Sequence, residues 1–254
     1  MIGNRMWVLA ESTWALFDLG RWDEVVRRAD TAIEWAERTG PAYSTIIAAP
    51  QKALVLLLRG RTAEAVPLVD EFVPRAREAV DAQVLVPALA AAATLALARE
   101  QLSEAAEFAA EVEVATRADA AIWRGRYLPE LVAIAVAAGR PELAEAFLET
   151  DYYSTGRTAH SVIAARGVLA EGTGDTDAAL ALHEDAAARW AEHGFVLGQA
   201  ESLLGVGRCL VTLGRPHEAA APLQAAREIF QGLGAEPSVR RADDLLARAT
   251  SMTA

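Results

Sequence analysis

Apolar residues return along this chain at helical spacing, in blocks that each end at a similar polar turn. Leu203, Val206, Gly207 and Leu210, just ahead of Gly214, fall on one helix face and make a stripe that has to be buried. The turns share a pattern: a glycine, an acidic residue in the next helix's first turn, and a small residue five positions past the glycine. Clear copies are Leu19-Gly20-Arg21-Trp22-Asp23-Glu24-Val25, Arg59-Gly60-Arg61-Thr62-Ala63-Glu64-Ala65 and Ala138-Gly139-Arg140-Pro141-Glu142-Leu143-Ala144. Two more are Thr173-Gly174-Asp175-Thr176-Asp177-Ala178-Ala179 and Leu213-Gly214-Arg215-Pro216-His217-Glu218-Ala219. A degenerate copy, Arg99-Glu100-Gln101-Leu102-Ser103-Glu104-Ala105, fills the one gap, so the turns at 20, 60, 100, 139, 174 and 214 are 40, 40, 39, 35 and 40 residues apart. A fixed period in this range predicts stacked helix pairs.

The expected fold is therefore all-α: a right-handed superhelical solenoid of about six antiparallel helix pairs, forming a single helical-repeat domain over residues 1–254. Glycine at each turn suits the left-handed backbone that closes a helix, whereas Glu100 in that geometry would cost about 1 kcal/mol, which predicts a reshaped third turn. Pro141 and Pro216 fit the first helical position, and Asp23, Glu64, Glu104, Glu142 and Glu218 complement the positive helix end. Val25, Ala65, Ala105, Ala144, Ala179 and Ala219 are small enough to let the second helix of each pair approach the first. The second helices stop at Thr39-Gly40-Pro41, His193-Gly194 and Gly232-Leu233-Gly234. The irregular stretch 151–158 precedes the short interval and is the expected place for a kink, with a domain boundary as the alternative. A final amphipathic helix over about 237–249 is expected to cap the C-terminal end.

These units resemble tetratricopeptide repeats, in a variant longer than the standard form. From Arg166 onward the resemblance is more specific. Gly174-Asp175-Thr176-Asp177-Ala178-Ala179-Leu180-Ala181-Leu182, Arg189-Trp190-Ala191-Glu192-His193-Gly194 and Arg227-Glu228-Ile229-Phe230-Gln231-Gly232-Leu233-Gly234-Ala235 look like the C-terminal sensor region of large ATP-dependent LuxR-type bacterial transcriptional regulators and related signal-transduction ATPases. The resemblance implies a role in sensing an inducer or a partner protein. A Gly-x-x-x-x-Gly-Lys-Ser/Thr phosphate loop and a DNA-reading domain are not found in this sequence, so ATP hydrolysis and DNA binding do not carry over.

Composition narrows the partners. Hydrophobic residues make up 53% of the 254, yet the apolar run Val84 to Ala98 contains Pro87 and is shorter than the roughly 18 to 20 residues of a membrane span. A formal net charge of −11 disfavours direct contact with nucleic acid or an anionic membrane. The start, Met1-Ile2-Gly3-Asn4-Arg5-Met6-Trp7, lacks secretory-signal features, and a single cysteine forbids an internal disulfide, so a cytoplasmic location is expected.

Candidate chemistry is sparse. His160, His183, His193 and His217 are scattered, and His183-Glu184-Asp185 lacks the second histidine of a metalloprotease helix, so no metal site, no cofactor and no catalytic residue is expected. Cys209 reads as a buried structural thiol without a nearby histidine. Gly172-Thr173-Gly174 and Gly205-Val206-Gly207 do not read as phosphate cradles.

Transferring tetratricopeptide geometry places Trp7, Trp14, Phe17, Ile47, Leu54, Leu57 and Leu97 on the inward face of the first helices, followed by Arg126, Val136, Val168, Glu171, Glu201 and Arg208. Trp123-Arg124-Gly125-Arg126-Tyr127 interleaves positive charge with aromatics and suits an acidic peptide or small anion, or else is a solvated helix start. The expected role is a non-catalytic groove for a protein or peptide. The apolar N-terminal part would otherwise pack on an upstream repeat, on another domain of a larger regulator, on a second copy of the chain, or on the neighbouring helix. A small-molecule effector domain is the alternative, and an enzyme a remote one.

Overall fold

The structure is a computed structural model that describes residues 2–40, 43–79, 81–117, 121–149 and 156–253. Among the described residues the regular elements are all helical, with no strand, and no helix is long and apolar enough to cross a membrane. The chain parts into two compact units, one ending at Thr116 and the other beginning at Arg117. Most of the irregular stretch at 151–158 lies outside the described residues.

The first unit contains three helix pairs: α1 (Ile2–Asp18) with α2 (Trp22–Thr39), α3 (Tyr43–Leu58) with α4 (Thr62–Ala79), and α5 (Ala82–Ala98) with α6 (Leu102–Thr116). Each helix packs on the next, and α1, α3 and α5 also pack side by side as one layer. In the second unit α7 (Ala121–Arg124) and a 3-10 turn (Gly125–Tyr127) lead into α8 (Leu128–Ala137), paired with α9 (Pro141–Leu148). There follow α10 (Gly156–Gly172) with α11 (Thr176–His193), α12 (Val196–Thr212) with α13 (Pro216–Leu233), and α14 (Glu236–Ser251). Here α8, α10, α12 and α14 form the successive first-helix layer, and α14 covers both α12 and α13.

The turns close as the sequence pattern requires. At Gly214, φ is 72°, the Gly214 N–H donates to the Val211 carbonyl at 3.1 Å, and the Arg215 N–H reaches back to Leu210 at 2.9 Å. These two hydrogen bonds satisfy carbonyls that the helix end leaves open. The third turn is not reshaped, contrary to expectation. Glu100 takes φ 62°, its N–H donates to Leu97 at 2.9 Å, and Gln101 N–H donates to Ala96 at 2.9 Å. The packing of α5 on α6 imposes the glycine geometry on a residue with a Cβ, and the strain is retained.

Past each turn the small residues do what their size predicts: Val25, Ala65, Ala105, Ala144, Ala179 and Ala219 are fully buried. The arginines ahead of three second helices add a further device, since Arg21, Arg61 and Arg215 each reach the glutamate three positions on, Glu24, Glu64 and Glu218. These pairs lie at the surface, where solvent screens them, and they add little to stability. The glycine pair in α12 is explained by packing. A Cβ at Gly207 would come within 2.3 Å of Leu223, and one at Gly205 within 2.7 Å of the His183 ring, so both positions admit side chains from neighbouring helices.

Candidate interaction surface and a buried polar node

In the first unit the residues expected to line a groove divide by burial. Trp14, Ile47, Leu54 and Leu57 are buried in the α1–α3–α5 layer and present little surface to a partner. Phe17 stacks on Trp22 with ring centroids 5.6 Å apart, and the Trp22 indole N–H donates to the Phe17 carbonyl at 3.2 Å. Trp14, Trp22, Ile47, Leu54 and Leu57 are core and Phe17 is half-buried at its edge, because the first-helix layer is apolar on the side facing its neighbours as well as on the side facing the second helices. Trp7 remains 50% exposed and the adjacent Val8 59%, while Leu97 at the end of α5 is 38% exposed. Among the described side chains of α1, the large apolar ones left exposed are Trp7 and Val8. Polar side chains tie the layers beside it: Arg28 Nη1 donates to Ser12 Oγ at 2.5 Å, Gln83 Nε2 to Glu11 at 3.2 Å, and Lys52 pairs with Asp30 at 2.5 Å.

In the second unit the segment Trp123 to Tyr127 is not a simple solvated start. Arg124 is fully buried, with its guanidinium 5.6 Å from the centre of the Phe147 ring, and Tyr127 is buried beside it. Gly125 is tight, since a Cβ there would meet Thr158 at 2.8 Å. Trp123 stays partly exposed, and the backbone carbonyl of half-buried Arg126 accepts from Arg157 at 3.4 Å. Arg157 in turn lies 5.1 Å from the Phe195 ring centre and 5.9 Å from that of Trp190. Next to Trp190, His160 and His193 approach to 3.2 Å between ring nitrogens. Burial is the main reason the His160 pKa lies below its ordinary value, and the positive potential of His193 and Arg189 adds to it.

The charged positions expected on the inward face of α10 and α12 pair with one another across helices. Arg208 on α12 holds Glu171 on α10 through both carboxylate oxygens, Nε to Oε1 and Nη2 to Oε2, the latter at 2.7 Å. Arg241 on α14 reaches Glu201 on α12 at 2.5 Å and Ser238 Oγ at 2.8 Å. The result is a ladder of ion pairs joining α10, α12 and α14.

Beneath the ladder lies a polar node that sequence spacing concealed. His183 of α11 is buried between α10 and α12, and its Nε2 lies 3.3 Å from Glu171 Oε2. Its ring fits because Gly167 and Gly205 face it, where a Cβ would intrude to 3.1 Å and 2.7 Å. Cys209 is buried as expected, but it does have a histidine neighbour: ligand-type atoms of Glu171, His183 and Cys209 all lie within 4.8 Å of one another. Burial would by itself raise the Glu171 pKa, yet hydrogen bonds from Arg208 and His183 outweigh it and hold the group at about 2. Burial pushes the Cys209 thiol up to about 11, reinforced by the Glu171 charge, so the free thiol is a poor nucleophile. The sequence held the components of this node on three helices, and only the stacking of α10, α11 and α12 brings them together.

Residues 157–232 match the tetratricopeptide repeat family, covering α10 to α13. Solved structures that resemble the chain include BtubC from P. vanneervenii, at 20% identity over 84% of this chain and 89% of that one, with a TM-score of 0.48. Another is the TPR2AB domain of yeast Sti1, solved in a complex with pHSP90, at 13% identity over 98% of both chains, with a TM-score of 0.37. No curated protein matches the chain.

Proposed function

We propose that this chain is a non-catalytic helical-repeat module that binds a protein or peptide, acting in bacterial signalling or transcription regulation in the way the LuxR-type resemblance implies. The observation that carries the reading is the tetratricopeptide match over residues 157–232, because stacked helix pairs of this kind present extended surfaces suited to macromolecular partners. Anchor residues come from the first unit. An exposed tryptophan beside an exposed valine is the type of apolar pair that supplies binding energy when a partner removes it from water.

The test is site-specific photocrosslinking in lysate of the source organism. A photoreactive benzoylphenylalanine at position 8 is expected to capture a discrete protein, whereas the same group at exposed Glu228 on α13 captures none. Equal labelling from both positions, or none from position 8, contradicts the reading.

A further inference from the structure

We propose that Glu171, His183 and Cys209 form a three-ligand Zn2+-binding site that clasps α10, α11 and α12. The donor set is right for this ion: a thiolate, an imidazole and a carboxylate suit zinc and disfavour the all-oxygen preference of Ca2+ and Mg2+. Each ligand comes from a different helix of one stack, so a single ion would join three elements.

The spacing also fits. With Zn–N and Zn–O bonds of about 2.0 to 2.2 Å at the tetrahedral angle, nitrogen and oxygen ligands of one ion stand about 3.3 to 3.5 Å apart. His183 Nε2 and Glu171 Oε2 are 3.3 Å apart. A thiolate bonded at about 2.3 Å would stand about 3.6 Å from each, so Cys209 Sγ, which lies within 4.8 Å of a ligand atom of both residues, has to close by at most about 1.2 Å.

Two features of the surroundings support a ligand role. Gly167 and Gly205 lie in helix interiors, where glycine is unfavourable against alanine, and both face the His183 ring. The imidazole they admit is buried, and its Nε2 is the ring nitrogen that faces Glu171. Arg208 has the place of an orienting group, because its two bonds to Glu171 fix the carboxylate's plane. On binding, zinc displaces the thiol proton, and thiolate and carboxylate together neutralise the ion's two charges. Three protein ligands leave the fourth position for water.

The experiment uses the full, untagged chain with Zn2+ in competition with a chromophoric chelator, and Co2+ as the spectroscopic probe. Cys209 is the single cysteine of the chain, so a thiolate-to-cobalt charge-transfer band reports that residue alone. The expected result is one Zn2+ per chain, a charge-transfer band with Co2+, and loss of the band with at least tenfold weaker Zn2+ binding in Cys209→Ala. Circular dichroism of the metal-free Cys209→Ala chain keeps a folding defect separate from a binding defect, and Glu171→Gln, with Cys209 intact, is expected to weaken Zn2+ while keeping the band. Absence of stoichiometric binding, or binding without the band and unchanged in Cys209→Ala, as the His160–His193 pair would give, overturns the proposal.

Discussion

Arg208 and Glu171 stand 37 positions apart and meet through two nitrogens and both carboxylate oxygens, fixing α12 against α10. The pair is only partly exposed, so its loss leaves a guanidinium without its main acceptor in a poorly hydrated place. Glu171→Gln is expected to destabilise the chain by about 2 kcal/mol at neutral pH. The pH dependence follows from the carboxyl's value of about 2 in the fold against an ordinary 4.5. Its stabilisation is complete above 4.5 and is lost as pH falls toward 2. Urea unfolding of both chains across this window checks it: the gap between them narrows on acidification, and a constant gap contradicts the assignment.

Glu100 is strained by its positive φ. Glu100→Gly removes the Cβ conflict while keeping both turn hydrogen bonds, and is expected to stabilise by about 0.5 to 1 kcal/mol, the added freedom of the unfolded chain taking back part of the gain. Chemical denaturation of the variant measures this; a loss of stability would show that the Glu100 side chain contributes more than its backbone costs.

Ala219 is fully buried where α13 approaches its partner helix. Ala219→Leu inserts a branched side chain into that contact and is expected to destabilise by about 1 to 3 kcal/mol. An unchanged melting temperature would remove the close-packing role given to the small residue after each turn.

His160 resists protonation in the fold, chiefly because it is buried and also because His193 and Arg189 face it, with Glu192 and Asp185 opposing them more weakly. A histidine with a lowered pKa leaves the unfolded chain binding more protons, so stability falls as pH drops below the ordinary 6.5. Melting temperatures recorded from neutral pH downward are expected to decline less steeply for His160→Gln than for the wild-type chain. Parallel curves would contradict this.

The turns and the small residues behind them were legible because each is local: a left-handed glycine, a proline at the first helical position and a buried alanine need only a few neighbours in sequence. The fate of Leu54, Leu57 and Trp14 was not, since an apolar stripe reads the same whether it faces a groove or a neighbouring helix of the same layer. Transferring groove positions from standard repeats therefore selected residues that the α1–α3–α5 layer buries. The node of Glu171, His183 and Cys209 was hidden for a different reason. Metal-ligand spacing rules look for neighbours along the chain, and these three come from separate helices. The glycines at 167 and 205 were the available signal, being unusual within helices and explained only by a large side chain opposite.

On this reading the chain works by binding a protein through Trp7 and Val8 of α1. The deciding measurement is the dissociation constant of the crosslinked protein, purified, for the wild-type chain and for a Trp7→Ser, Val8→Ser variant. The expected result is at least tenfold weaker binding by the variant, about 1.4 kcal/mol, with an unchanged melting temperature. Equal affinity of the two chains would contradict the claim.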